Sequence, residues 1–423
     1  MKRIIEKISH VAAHPLARGS AIVLAGTTLA NTGAYIYHLV VGRILGPVGY
    51  GELASLFSFL YILNVPSMVL QTVLTRYIAG FRTKSELGRA KALSLAVLRI
   101  LCVVLFLGAI ILYPFLSLLS EFLHIDKPAA LFYTYVTAAL WIVGIVQVSL
   151  LQGLQRFTTA MVLSNFWIYL RLIGGALGAM FGVTETVIAG VLTSAVAFAA
   201  QFWPLRDVYG AKINSIAIPK REFVAYSVPS LLTMLGITSL YSTDILLAKH
   251  FLTPVEAGYY AAISVMGKII FFASSSVSYV LFPVVAERSK THTDSMRLVY
   301  SGVVAVGLVS LAIDIGYFLM PKTALLLLFG ESYYPASAYL GWFGIFISFY
   351  SVSYLVATTL LGLGKTRVAG IVIAAAVVQI AGIAWFHSSM GAIITVNIIV
   401  AAMLTPGLLL YYRHALKEDP AVV

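Results

Sequence analysis

Three cations lie inside long apolar runs of this 423-residue sequence: Arg99, Arg171 and Lys268. A lysine at the centre of a bilayer costs at least about 2.5 kcal/mol on insertion scales, so it faces a wet cavity or a partner. Lys268 lies about ten residues or 15 Å into its run, close to the midplane. It is a candidate for holding an anionic cargo, for coupling, or for a structural ion pair. Arg171, midway along its run, is a second candidate for cargo, with helix-to-helix backbone binding as the alternative. Arg99 is nearer a run end and is expected to snorkel towards the inner surface. Two acids also fall within runs, Asp244 and Asp314, both near outer ends. Asp244 can pair with a cation or carry a proton in coupled exchange, unless it is a plain interfacial carboxylate.

Neutral polar residues form stripes near these charges. Thr27, Asn31, Tyr35 and His38 share one helical face by their spacing. Tyr61, Asn64, Met68, Gln71 and Thr75 follow in the next run, and Tyr61 occupies the position equivalent to Lys268 in the repeat described below. Ser230, Thr233, Thr238, Tyr241 and Asp244 mark a third stripe, and Ser264, Lys268, Ser275 and Ser278 a fourth. Hydroxyl, amide and ammonium groups at membrane depth suit a polar, anionic cargo that cannot cross hydrocarbon unaided. Arg43 and Lys249, with His250, are placed at the outer mouth.

The elements that must position these residues follow from composition. The chain is 60% hydrophobic and 10% charged, against about half and a quarter in soluble domains. Its mean hydropathy is +0.95. Twelve apolar spans are expected, at 20–42, 52–74, 92–114, 129–151, 159–181, 183–203, 224–248, 258–282, 297–319, 335–361, 367–385 and 391–411. Continuous runs rather than alternation disfavour a β-barrel. With the N-terminus inside, 21 Lys/Arg fall in inner segments and 4 in outer ones, which places both termini in the cytoplasm. The formal charge of +12 therefore reports orientation rather than nucleic-acid binding. Residues 1–18 are expected to form an amphipathic segment on the inner leaflet. They precede a six-helix lobe (19–205), a cytoplasmic linker (206–223), a second six-helix lobe (224–413) and a tail (414–423). The single cysteine, Cys102, is expected to be a small buried hydrophobe.

An internal duplication ties the two lobes together. Leu45, Pro47, Val48, Gly51 and Ala54 recur as Leu252, Pro254, Val255, Gly258 and Ala261, at an offset of 207. Gly153, in Leu150-Leu-Gln-Gly-Leu-Gln-Arg156, recurs as Gly362 at an offset of 209. Such an offset carries six spans, an even number, so the repeat is parallel, a plan that puts a substrate site between the halves.

The segment Arg43-Ile-Leu-Gly-Pro-Val-Gly-Tyr-Gly-Glu-Leu-Ala54, with Leu151-Gln-Gly-Leu-Gln-Arg156, resembles the polysaccharide flippases of the Wzx type. These are the O-antigen and oligosaccharide branch of the multidrug/oligosaccharidyl-lipid/polysaccharide exporter superfamily. The resemblance implies an all-α membrane fold with a V-shaped pair of lobes. It implies a cavity lined by helices 1, 2, 7 and 8, and alternating access. The implied cargo is an oligosaccharide on polyprenyl diphosphate, moved across the inner membrane for lipopolysaccharide-type surface polymers. A polysaccharide polymerase and other assembly proteins are the implied partners besides lipid. On this reading the cavity residues are Lys268, Arg171, Asn31, Tyr35, Tyr61, Gln71, Tyr241, Ser264 and Ser275, with Asp244 for ion coupling. A multidrug or toxin exporter of small cations is the alternative. It wants buried carboxylates in the first half, where none lies at membrane depth. A membrane polymerase or ligase is a third reading, disfavoured by the six-plus-six repeat and the absence of a large outer loop. Neither a Walker-type phosphate loop nor HExxH or Cys/His metal spacing occurs, so no enzyme chemistry and no cofactor is expected.

Overall fold

A computed structural model describes residues 15–83, 86–213, 220–288 and 292–417, with side chains over 22–82, 86–213, 227–274 and 296–415. The amphipathic segment expected at the N-terminus lies almost wholly outside these residues, as does the side chain of Ser275. The described chain is helical throughout. Its long helices are α1 (Pro15–Leu63), α2 (Val65–Thr83), α3 (Leu87–Leu112), α4 (Pro128–Gly153), α5 (Phe157–Ala179) and α6 (Val183–Ala200). They continue with α7 (Lys220–Phe251), α8 (Pro254–Arg288), α9 (His292–Leu319), α10 (Ser337–Gly362), α11 (Val368–Trp385) and α12 (Met390–Lys417). Eleven stretches of the described residues are long and apolar enough to cross a bilayer. Two of the twelve expected spans, 20–42 and 52–74, fall together in one of them, Ile22–Arg82.

That long stretch is broken twice. At 1.5 Å per residue a straight α1 would run about 70 Å, more than twice the hydrocarbon thickness. The break comes at Gly46, whose φ of 65° and ψ of −179° are open to glycine alone, and Pro47 starts the next helical turn. The second break is at Asn64, a turn residue whose side-chain amide donates to the Leu60 carbonyl at 3.1 Å.

The described residues group into two compact units. One is formed within Met1–Ile44, Pro66–Ser120 and Asp126–Phe223, the other within Leu45–Val65, Glu121–Ile125 and Val224–Val423. In the first, α4 packs against α3, α5 and α6, and α5 against α6. In the second, α10 packs against α9, α11 and α12, and α11 against α12. The same pairings thus recur six helices later. The loops repeat as well. Gln155 and Gly364 are both left-handed, with φ of 59° and 73°, and are 209 residues apart. Each sits in the same helix cap: Arg156 N–H bonds Leu151 O, and Lys365 N–H bonds Leu360 O, at 2.7 and 2.9 Å. This six-to-one bond is the Schellman closure.

The first unit has its core where Leu74 and Ile78 of α2 meet Ala90 and Leu93 of α3, Leu150 and Leu151 of α4, and Leu205 and Val208 of the following linker. Gly153 lets α4 approach α2, for a Cβ there would lie 2.6 Å from Ile78. One expectation is corrected. Cys102 is exposed rather than buried, because it lies on the outward face of α3, where Val103, Val104, Phe106 and Leu107 are exposed too. Apolar character there serves a lipid-facing surface, and hydropathy alone does not separate lipid from core. Arg99 is exposed as well, twelve residues from the N-terminal end of α3.

Candidate functional site

In the second unit, the segment of α1 that follows Gly46 runs beside α8, and repeat-equivalent positions meet. A Cβ on Gly51 would lie 2.8 Å from Gly258 N, and one on Gly258 only 1.9 Å from Pro47 O. Both glycines are therefore required by backbone approach. Ten residues further along, the same pairing brings Tyr61 to Lys268. The ammonium lies 5.5 Å from the Tyr61 ring centroid and 5.1 Å from that of Tyr241 on α7. Desolvated contacts of this kind are worth about 2 kcal/mol, which offsets part of the cost of a charge at this depth. The Tyr241 ring continues into an aromatic wall. It stacks on Phe271 at 6.4 Å and meets Tyr350 at 5.5 Å, while Phe271 meets Tyr354 edge-on at 5.0 Å. Among the described residues Lys268 has no carboxylate within 4.0 Å.

Asp244, on α7, is fully buried. Its Oδ2 accepts the Tyr260 hydroxyl at 2.7 Å and the Asn397 amide at 3.4 Å, and its Oδ1 accepts its neighbour's backbone N–H at 2.9 Å. Asn397 also donates to the Tyr260 oxygen at 2.8 Å. Gln379 donates to Asn397 Oδ1 and to Leu240 O, each at 2.9 Å. Four helices, α7, α8, α11 and α12, thus converge on one carboxylate. Asp244 and Lys268 also act on each other electrostatically. A buried acid held by neutral donors, within the field of a nearby ammonium, has the composition of a site for a small cation or a proton. Sequence reading singled out Asp244 but missed Tyr260, Gln379 and Asn397. Asn397 and Gln379 are amides deep in otherwise apolar runs, and that was the available signal.

Arg171 sits in the first unit, 8% exposed. Its guanidinium lies 4.4 Å from the Tyr37 ring centroid, 5.4 Å from Trp141 and 5.8 Å from Trp167. Both indoles donate to Ser194, at 3.1 and 3.4 Å, which holds the rings around the cation. Gly175 is needed beside this cage, because a Cβ there would lie 2.2 Å from the Tyr37 ring. The aromatic members Tyr37, Trp141 and Trp167 were not anticipated; they come from three different helices, and no spacing within one run links them.

The other candidates are dispersed. Asn31 is exposed and Tyr35 half-buried on α1. Gln71 lies in the first unit, where its amide donates to Gln152 at 3.1 Å. Ser264 is buried, and its hydroxyl has no partner among the described residues. Arg43 is exposed, whereas Lys249 is 4% exposed.

The family described as polysaccharide biosynthesis protein matches residues 16–289. The chain belongs to this family. None of the curated proteins matches it. Solved structures do, at low identity and over nearly the full length. The lipid II flippase MurJ in an inward closed conformation matches with a TM-score of 0.74 and 11% identity, covering 92% of this chain and 87% of that one. An inward-facing multidrug resistance MATE family transporter of the MOP superfamily gives 0.67 and 16%, covering 92% and 96%. A MOP superfamily transporter from Pyrococcus furiosus, described by the reversed polarity of its binding pocket, gives 0.65 and 16%, covering 96% and 98%. The polysaccharide biosynthesis chain therefore has the all-helical, multi-pass fold of MATE and MurJ transporters.

Proposed function

We propose that the protein is a flippase. It moves a polyprenyl-diphosphate-linked oligosaccharide from the inner to the outer leaflet by alternating access, for assembly of a surface polysaccharide of the O-antigen or lipopolysaccharide kind. The observation that carries this reading is Lys268, a deep ammonium with aromatic neighbours and no carboxylate within 4.0 Å among the described residues. A diphosphate needs a point charge of this kind to offset its own charge on the way through hydrocarbon. Tyrosine faces beside it suit the apolar faces of sugar rings, and their hydroxyls suit the sugar hydroxyls. Arg171 is a second cation at membrane depth in the other half, and membership of a polysaccharide biosynthesis family supports a saccharide-bearing cargo. Under this reading the protein catalyses no bond change. The lobes are 19–205 and 224–413, and the protein lies in the cytoplasmic membrane with both termini inside. It hands its cargo to a polymerase and other assembly proteins. Asn31, Tyr35, Gln71, Ser264 and Ser275 contribute to the path, Arg43 and Lys249 to its outer end, and the Asp244 network supplies ion coupling.

A second reading, a MATE-like exporter of small cations, rests on Asp244, an acid buried at membrane depth, though in the second half of the chain rather than the first. Proteoliposomes separate the two. Protein-dependent appearance of a polyprenyl-diphosphate oligosaccharide in the opposite leaflet supports the flippase. No movement above empty liposomes, together with efflux of a cationic dye, supports the exporter and removes the flippase reading.

A further inference from the structure

Within the second unit a buried acid stands apart from the Lys268 and Asp244 groups. Asp314 of α9 is 7% exposed. Its Oδ2 accepts the Ser348 hydroxyl of α10 at 2.6 Å. Its Oδ1 is buried and has no hydrogen-bond partner among the described residues. The reason is close packing: a Cβ on Gly344 of α10 would lie 2.1 Å from that oxygen. One turn away along α9, Ser310 shares a hydrogen bond with Ser274 of α8 at 3.2 Å, both buried. Polar groups of α9 and α10 therefore meet at Asp314, and a polar contact of α9 with α8 lies one turn away.

The repeat offers an internal comparison. At an offset of 209, Asp314 aligns with Leu105 and Gly344 with Tyr135. In the first unit that place is filled by a neutral contact, the Tyr135 hydroxyl donating to the Leu105 carbonyl at 2.6 Å. The second unit has kept the helix contact and replaced the neutral bond with a carboxyl group. An ionised carboxylate with one oxygen sealed from donors is costly. Either a proton occupies Oδ1, or α9 must part from α10 to admit water.

We propose that Asp314 is a proton-binding site whose occupancy controls the packing of α9 against α8 and α10. With the proton on Oδ1 the carboxyl is neutral and the helices close over Gly344. Loss of the proton to outer water leaves a carboxylate, and the outer part of α9 loosens. Asp314 lies five residues, or about 7.5 Å, from the end of α9, a short way for a proton to travel. The titratable side chain next along α9 is Tyr317, three residues on, with its hydroxyl donating to Met266 O at 2.6 Å. Lys268 of α8 and Tyr350 of α10 lie against Tyr241 instead, at 5.1 and 5.5 Å from its ring centroid.

The test uses the full-length protein in detergent without any cargo, so it stands or falls independently of the flippase reading. Hydrogen exchange of α9 is followed across pH, and protection is corrected for the intrinsic pH dependence of exchange. Wild type is expected to lose protection around Asp314 as pH rises, while α9 of Asp314→Asn, neutral at every pH, stays equally protected throughout. Infrared difference spectra over the same titration should show a protonated-carboxyl band that Asp314→Asn lacks and Asp244→Asn keeps. PH-dependent loosening that persists unchanged in Asp314→Asn overturns the proposal. Should that variant fail to fold, Ser348→Ala carries the test, since it removes the donor to Oδ2 and must move the midpoint of the transition. An unmoved midpoint overturns the proposal equally.

Discussion

Gly258→Ala tests the contact on which the Lys268 group is built. The added methyl would stand 1.9 Å from the carbonyl oxygen of Pro47 and 2.4 Å from its carbonyl carbon. Ordinary contacts begin at 3.4 Å, so the helices must part by about 1.5 Å, and the atoms in the way are backbone. Overpacking of this kind costs about 1–3 kcal/mol. A loss of about 2 kcal/mol lowers the folded-to-unfolded ratio roughly thirty-fold. The control is Gly307→Ala in the middle of α9, where a Cβ meets nothing within 4 Å. There the better helix former should stabilise by about 1 kcal/mol. The assay is the fraction remaining monodisperse by size exclusion after stepwise heating in detergent. The midpoint should fall for Gly258→Ala and rise for Gly307→Ala. A Gly258→Ala protein as heat-resistant as wild type refutes the close-approach argument, and with it the assignment of this crossing to repeat-equivalent glycines.

Three further outcomes follow from the polar contacts. Tyr260→Phe removes the 2.7 Å bond to Asp244 and should cost about 1.5–3 kcal/mol, the value for a hydrogen bond to a charged group; heating curves against Asp244→Asn/Tyr260→Phe check it, since the double variant should lose less than the sum. Arg171→Met keeps the volume inside the Tyr37, Trp141 and Trp167 cage but deletes the charge. Losing the contacts with the rings should cost about 2 kcal/mol, so this variant should lower the heating midpoint while still folding, and should lose lipid translocation in proteoliposomes. Asp207→Asn weakens the bidentate contact with Arg156, whose guanidinium also donates to Pro204 O at 2.6 Å. With both partners partly exposed the cost should stay below about 1 kcal/mol, seen as a small drop in the same heating assay.

The helical architecture was legible because a span needs a continuous apolar run, and such runs are visible without any tertiary information. The repeat was legible too, through Pro47, Gly51 and Gly153 and their later counterparts. The juxtaposition of Tyr61 and Lys268 follows from that repeat once equivalent segments lie side by side. What stayed hidden was convergence. Gln379 and Asn397 are single amides in two different helices, and nothing in either run says that Asn397 reaches Asp244 or that Gln379 holds Asn397 there. The three rings around Arg171 come from α1, α4 and α5, and aromatic residues in apolar runs are too common to point at one another. Cys102 was misjudged because lipid-facing and core-facing apolar surfaces have the same composition. Asp314 was read as an end-of-helix acid, since no sequence pattern records that Gly344 packs over its carboxyl oxygen.

The central claim is that Lys268 holds an anionic diphosphate, and binding measures it most directly. Purified wild type, Lys268→Arg and Lys268→Met are titrated with a polyprenyl-diphosphate oligosaccharide, and with the uncharged polyprenol as reference. A charged hydrogen bond of about 1.5–3 kcal/mol predicts that Lys268→Met binds the diphosphate roughly 10- to 100-fold more weakly, with polyprenol binding unchanged and Lys268→Arg in between. Equal diphosphate affinity for wild type and Lys268→Met would contradict the account.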